Sequence, residues 1–116
     1  MRLNHEIPEW VNYGATFFIT VCARDRTVNT FCLPEMGNIV LDSVRWRNEQ
    51  KIWFCDIVVL MPDHVHLILN FPDEIPLTKA IRDWKSWLGK KHGIEWQENY
   101  FDHRLRGTEG YGEKAE

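Results

Sequence analysis

KIWFCDIVVLMPDHVHLILN, residues 51–70, decides the fold. Lys51–Met61 is rich in β-branched and aromatic residues and almost continuously apolar, which suits a central strand covered on both faces. Pro62-Asp63 is turn chemistry. His64–Asn70 then resumes the β pattern at once. A two-residue connection joins only antiparallel neighbours, because a parallel pair needs a crossover of a dozen residues or more. The stretch therefore reads as a hairpin.

Outward from the hairpin the pattern changes to helical spacing. Upstream, Pro34 suits a helix start, and Met36, Ile39, Val40 and Val44 extend a helix to about Gln50. Before it, Ala15–Ala23 (ATFFITVCA) reads as a first strand that ends at the charged Arg24-Asp25-Arg26. Downstream, Phe71–Ile75 is a loop and Pro76 opens a second helix. Leu77, Ala80, Ile81, Trp84, Trp87 and Leu88 mark its apolar stripe, and Gly93 suits its end. Trp96–Arg106 reads as a fourth extended segment. Gly107–Glu116 is a weak third helix, interrupted by Gly107, Gly110 and Gly112. The order β-α-β-β-α-β predicts an α+β fold: a ferredoxin-like sandwich of one antiparallel sheet with both helices on one face. That architecture hosts many activities and assigns none.

The chain has 116 residues, the size of a single domain spanning 1–116. Its 44% hydrophobic and 27% charged residues exclude a wholly disordered chain. The longest apolar run, Ile57–Met61, is far too short to span a bilayer. Glu6 and Glu9 fall where a secretory signal would need apolar residues. Cys22, Cys32 and Cys55 are odd in number and lack CxxC spacing, so reduced thiols in a cytoplasmic protein are expected. A net charge of −3 gives no global attraction to a polyanion, so any nucleic-acid contact has to come from a local patch.

His64-Val65-His66 is the most informative constellation. On a strand, residues i and i+2 share a face, so the two imidazoles stand side by side while Val65 points into the core. Two imidazoles can hold one divalent ion, or they can be two half-exposed sheet histidines. Two ligands are too few for a closed structural site, which favours an ion open to water or phosphate. A zinc site that adds Cys55 is the rival metal reading. Cys22 and Cys55 both lie in strongly apolar strands, where packing is the simpler role.

The segment from Lys79 to Lys91 carries five basic residues, Lys79, Arg82, Lys85, Lys90 and Lys91, and one acid, Asp83. Such a face can neutralise phosphates, or it can simply be solvated. Arg24, Arg26, Arg104 and Arg106 add cations at strand ends. Tyrosine is the remaining candidate, since a phenolate can attack a phosphodiester. Tyr13, Tyr100 and Tyr111 are the three in the chain, and Tyr111 follows the fourth strand, where it is freest to approach a site.

Leu60-Met61-Pro62-Asp63-His64-Val65-His66-Leu67, then Lys85-Ser86, then Trp96-Gln97 and Tyr100-Phe101-Asp102-His103-Arg104-Leu105-Arg106, together resemble the REP-associated tyrosine transposases. These belong to the single-tyrosine HUH transposases. The resemblance runs from about Tyr13 to the last residue. It implies single-stranded DNA cleavage and strand transfer through a 5′-phosphotyrosine link. It also implies a Mg²⁺ or Mn²⁺ ion on His64 and His66, single-stranded or hairpin DNA as partner, and a homodimer as in the wider family. Arg24, Arg26, Arg82, Lys85, Lys90, Lys91, Arg104 and Arg106 become the expected DNA contacts. The sequence departs from the family at the nucleophile. The family places its tyrosine just past Glu116, followed by an Asn-Pro ligand motif, and no Asn-Pro occurs in this chain. Tyr111 stands about six residues earlier, roughly 9 Å along a helix. Either Tyr111 substitutes or the catalytic helix is incomplete, and the latter is the expectation. A non-catalytic DNA-binding domain of the same descent is the alternative.

Overall fold

The computed structural model describes residues 16–27, 29–72 and 75–105. Four strands and two long helices follow in chain order: β1 (Thr16–Cys22), α1 (Pro34–Glu49), β2 (Phe54–Leu60), β3 (His64–Asn70), α2 (Leu77–His92) and β4 (Phe101–Leu105). The sheet order is β2-β3-β1-β4, with every neighbouring pair antiparallel. β1 and β2 thus run parallel with β3 inserted between them, the split arrangement expected of this fold class.

One sheet face is the core. Ile19 and Val21 of β1 lie opposite Leu67 and Val65 of β3, and all four are buried. Val40, Val44, Ile81, Trp84 and Leu88 of the two helices complete the same cluster. Both helices therefore cover one face. Between the layers, Trp53, Trp84 and Trp96 form a chain of ring contacts with centroids 5.7 Å apart at each step. Two of the three indole N–H groups are matched: the Trp84 Nε1–H donates to Ser43 Oγ at 2.9 Å and the Trp53 Nε1–H donates to Val44 O at 3.4 Å, while the buried Trp96 Nε1–H has no hydrogen-bond partner among the described residues.

Local chemistry explains the element ends. Pro34 occupies the first turn of α1, where a missing N–H loses nothing. α1 exits through Lys51, which takes the left-handed conformation at φ 60°. α2 ends at Gly93, φ 70°, whose N–H donates to Gly89 O at 3.0 Å. The second strand starts at Phe54 rather than Lys51, because Lys51 makes the turn and Trp53 packs beneath the helices. It carries a bulge between Cys55 and Ile57. Asn48 braces this bulge: its Nδ2 donates to Cys55 O at 3.0 Å and its Oδ1 accepts from Cys55 N–H at 2.9 Å.

The fourth segment differs most from expectation. Among its described residues only Phe101–Leu105 pairs as a strand. Trp96 instead makes a single bridge to Ala23 and stacks on Phe31, centroids 5.3 Å apart. Its indole is worth more in the core than on an edge strand, so residues 96–100 wrap rather than extend. A 3-10 turn at Thr30–Cys32, unmarked in the sequence pattern, delivers Phe31 to that contact.

Candidate functional site

His64 and His66 lie on the sheet face away from the helices, together with Phe18, Thr20 and Cys22 of β1. The strand alternation that sends Val65 into the core sends both imidazoles outward. Their Nε2 atoms are 3.0 Å apart, with ring centroids 4.6 Å apart and planes at 78°. Each Nδ1 has its own partner. His64 Nδ1 lies 2.7 Å from Asp63 Oδ1, and His66 Nδ1 lies 2.9 Å from Thr20 Oγ1. Phe18 stacks on the His66 ring at 5.3 Å.

These contacts constrain the hydrogens. Asp63 is paired with Arg26 as well as His64, and those two hydrogen bonds hold its carboxyl pKa down to about 2. A carboxylate only accepts, so His64 Nδ1 donates to it, and in the neutral ring Nε2 carries the lone pair. In that form His66 Nε2–H donates to His64 Nε2, and the Thr20 hydroxyl donates to His66 Nδ1. Burial, and then the neighbouring His64, lower the His66 pKa, which favours its neutral form.

The pair fits a cation. Two nitrogens at right angles on one ion, each bonded at about 2.1 Å, stand about 3 Å apart, and this is the separation seen. His66 has only to move its hydrogen to Nδ1, where the Thr20 oxygen accepts it. An imidazole whose far nitrogen donates to a carboxylate or hydroxyl is the usual support of a metal ligand. Among the described residues no group of three or more His, Cys, Asp or Glu converges on one point. Cys55 lies within the opposite, helix-covered core, and burial pushes its thiol far up. Its Sγ–H donates to Ile57 O at 3.2 Å, so it stands as a packing residue away from the histidines.

The predicted cations divide between the layers. Arg26 is tied to the histidine pair through Asp63. Arg24 is exposed in the turn after β1, where its N–H donates to Glu95 O at 2.9 Å. Arg82, Lys90 and Lys91 are exposed on α2, in the layer behind the sheet. Lys79 is paired with Asp83 at 2.6 Å. Lys85 is turned inward: its Nζ donates to Gln97 O at 2.7 Å and Glu98 O at 3.1 Å, 5.9 Å from the Tyr100 ring centre. Arg104 lies opposite Phe17 on β4, so it shares the helix-covered face at the sheet edge. Arg106 and Tyr111 lie outside the described residues. Sequence reading missed Thr20, Asp63 and Phe18. Pro62-Asp63 marked only a turn, and nothing in Thr20 or Phe18 signals its cross-strand neighbour.

No family model and no curated protein sequence matches the chain. Solved structures do. A REP-associated tyrosine transposase bound to a REP hairpin superposes with a TM-score of 0.74 at 20% identity, over 95% of this chain and 67% of that one. A candidate transposase from Deinococcus radiodurans R1 superposes with a TM-score of 0.63 at 16% identity, over 89% of this chain and 87% of that one. At such identities the likeness is one of architecture, and the chain has the fold of these transposase structures.

Proposed function

We propose that the chain is a transposase-like DNA-processing domain that engages single-stranded or hairpin DNA at a divalent-metal site on His64 and His66. One observation carries this reading: the two Nε2 atoms face each other at 3.0 Å while each Nδ1 is anchored by another side chain. Its fold is shared with a transposase solved on a REP hairpin, which supports DNA as the partner. A bound Mn²⁺ or Mg²⁺ supplies Lewis-acid polarisation of a phosphate oxygen. Imidazole ligands favour Mn²⁺ of the two, since Mg²⁺ prefers oxygen.

The chain's own residues do the positioning. Asp63 and Thr20 set the ring orientations. Arg26, beside Asp63, is placed to meet a phosphate at the edge of the site. Strand transfer would need a tyrosine oxygen to bond to phosphorus as the 3′-oxygen leaves and takes a proton, one phosphoester replacing another without ATP. Tyr111 is this sequence's candidate nucleophile. It stands about six residues before the family's position, so no stable adduct through Tyr111 is expected.

The test combines Mn²⁺ titration by electron paramagnetic resonance with gel shifts on a single-stranded hairpin oligonucleotide. The parent should bind one Mn²⁺ and shift the DNA more tightly in its presence. His64→Ala and His66→Ala should each abolish Mn²⁺ binding and leave the free-ion spectrum undiminished. A parent that binds no Mn²⁺, or DNA retention indifferent to both changes, would sink the reading. A covalent adduct on a denaturing gel that is lost in Tyr111→Phe would make the chain a strand transferase acting through Tyr111.

A further inference from the structure

Behind the sheet, α1 and α2 leave a cleft of about 550 Å³ between them. Its volume falls in the range of small-molecule sites. Trp46 of α1 and Trp87 of α2 line it, and both are exposed, 51% and 38% respectively. Large indoles left open on a small domain are unusual, given that Trp53, Trp84 and Trp96 are buried. Arg47 lies between the two. Its guanidinium carbon is 5.4 Å from the Trp46 ring centre and 5.5 Å from that of Trp87.

Arg47 is the unusual member. It is only 8% exposed and lines the cleft, and among the described residues no carboxylate lies within ion-pair distance of it, Asp83 acting on its charge from farther off. Its hydrogen bond is an Nη1–H donated to Ser43 O at 3.2 Å. A guanidinium has five N–H donors, so several remain for a ligand. Burial lowers its pKa, which marks the cost of holding this charge here. A cation held between two open indoles suits an occupant that is planar, rich in carbonyl acceptors and attached to negative charge.

The surroundings match the last condition. After Trp87 the helix carries Lys90 and Lys91, both exposed, and no carboxylate before its end at His92. Lys90 and Lys91 follow Trp87 by three and four residues, so they neighbour it on the helix surface. The acid on the α1 wall, Asp42, is engaged by Arg45 at 3.3 Å. Aromatic platforms flanked by lysines are how proteins hold single strands: rings stack on bases and cations meet phosphates.

We propose that the α1/α2 cleft takes an unpaired base of single-stranded DNA, stacked against Trp46 and Trp87 with its carbonyl edge on Arg47. The inference rests on the reading of the chain as a DNA-processing domain. It gives the strand a second hold, on the layer opposite the histidine pair. Lys90 and Lys91 then serve this cleft rather than the metal site.

The test is fluorescence anisotropy with 5′-fluorescein-labelled dT8, with folding checked by circular dichroism melts. Trp46→Ala and Trp87→Ala should each weaken binding about tenfold, the usual loss for a base–aromatic stack. Parent tryptophan fluorescence should be quenched by unlabelled dT8, and the quench should fade in either variant. Mn²⁺ binding should stay unchanged in both, because neither residue is near His64 or His66. A folded Trp46→Ala/Trp87→Ala double variant that binds dT8 like the parent would overturn the proposal, as would a parent that does not bind dT8. So would sedimentation showing a parent dimer that the double variant splits with dT8 binding intact, since the cleft would then be an interface between copies. Conversely, a parent that binds dT8 through the cleft but no Mn²⁺ would remove the metal reading and leave the cleft standing.

Discussion

Thr20 on β1 is the direct cross-strand partner of His66 on β3, and its Oγ1 lies 2.9 Å from His66 Nδ1. Asp63 serves His64 in the same way from the adjoining turn. The candidate metal pair is thus built from two strands and a turn, and its orientation depends on residues that touch no ion.

That dependence is measurable. Thr20→Val keeps the shape and removes the hydroxyl, and Asp63→Ala removes the carboxylate. Each is expected to weaken Mn²⁺ binding about 10- to 100-fold without unfolding the protein. Calorimetric titration with Mn²⁺ checks it. Affinities equal to the parent's would show that ring orientation is set elsewhere.

The His66 imidazole should titrate below the ordinary histidine range, because burial and then the adjacent His64 disfavour its charge. The sign follows from linkage. With the folded pKa depressed, the stabilising contribution is complete above the unfolded value of about 6.5 and is lost as pH falls through the folded value. Nuclear magnetic resonance of the ring protons reads the midpoint directly. In His64→Gln the midpoint should rise only part of the way, since burial is the larger cause.

Asn48 should matter for stability far from any site. Its side chain pairs both backbone groups of Cys55 beside the bulge, and Cys55 is fully buried. Asn48→Ala leaves a buried N–H and C=O unpaired, at a cost of about 2–4 kcal/mol. Urea unfolding measures it. A loss below about 1 kcal/mol would mean that water or a shifted strand replaces the amide.

Two cations of α2 should behave differently although the sequence treats them alike. Arg82 is exposed, and its guanidinium makes only a long 3.8 Å pairing with Asp83. Lys85 anchors the 97–98 backbone. Arg82→Glu should leave the melting temperature within about 2 °C of the parent's, as exposed substitutions do. Lys85→Glu should lower it by several degrees, because two carbonyls lose their donor to a carboxylate that only accepts. Calorimetric scans distinguish the two, and equal melting points would refute the anchoring role.

Much was legible in the chain alone. The alternation HVHLILN after a two-residue turn was enough to place His64 and His66 on one face, because the side-chain period of a strand is two whatever surrounds it. The stripe Leu77–Leu88 was enough for α2, and the element order for the ferredoxin-like sheet. These are local properties of backbone geometry and hydrophobic period. What only the tertiary structure decided is everything set by register and layering. The order β2-β3-β1-β4 slides Thr20 opposite His66 and Phe18 onto its ring, and those residues lie 46 and 48 positions away in the chain. The same layering puts the basic helix behind the sheet, draws Lys85 inward and gathers Trp46, Arg47 and Trp87 around one cleft. Contacts between elements depend on how apolar faces are shared out in three dimensions, and no spacing along a single segment carries that information.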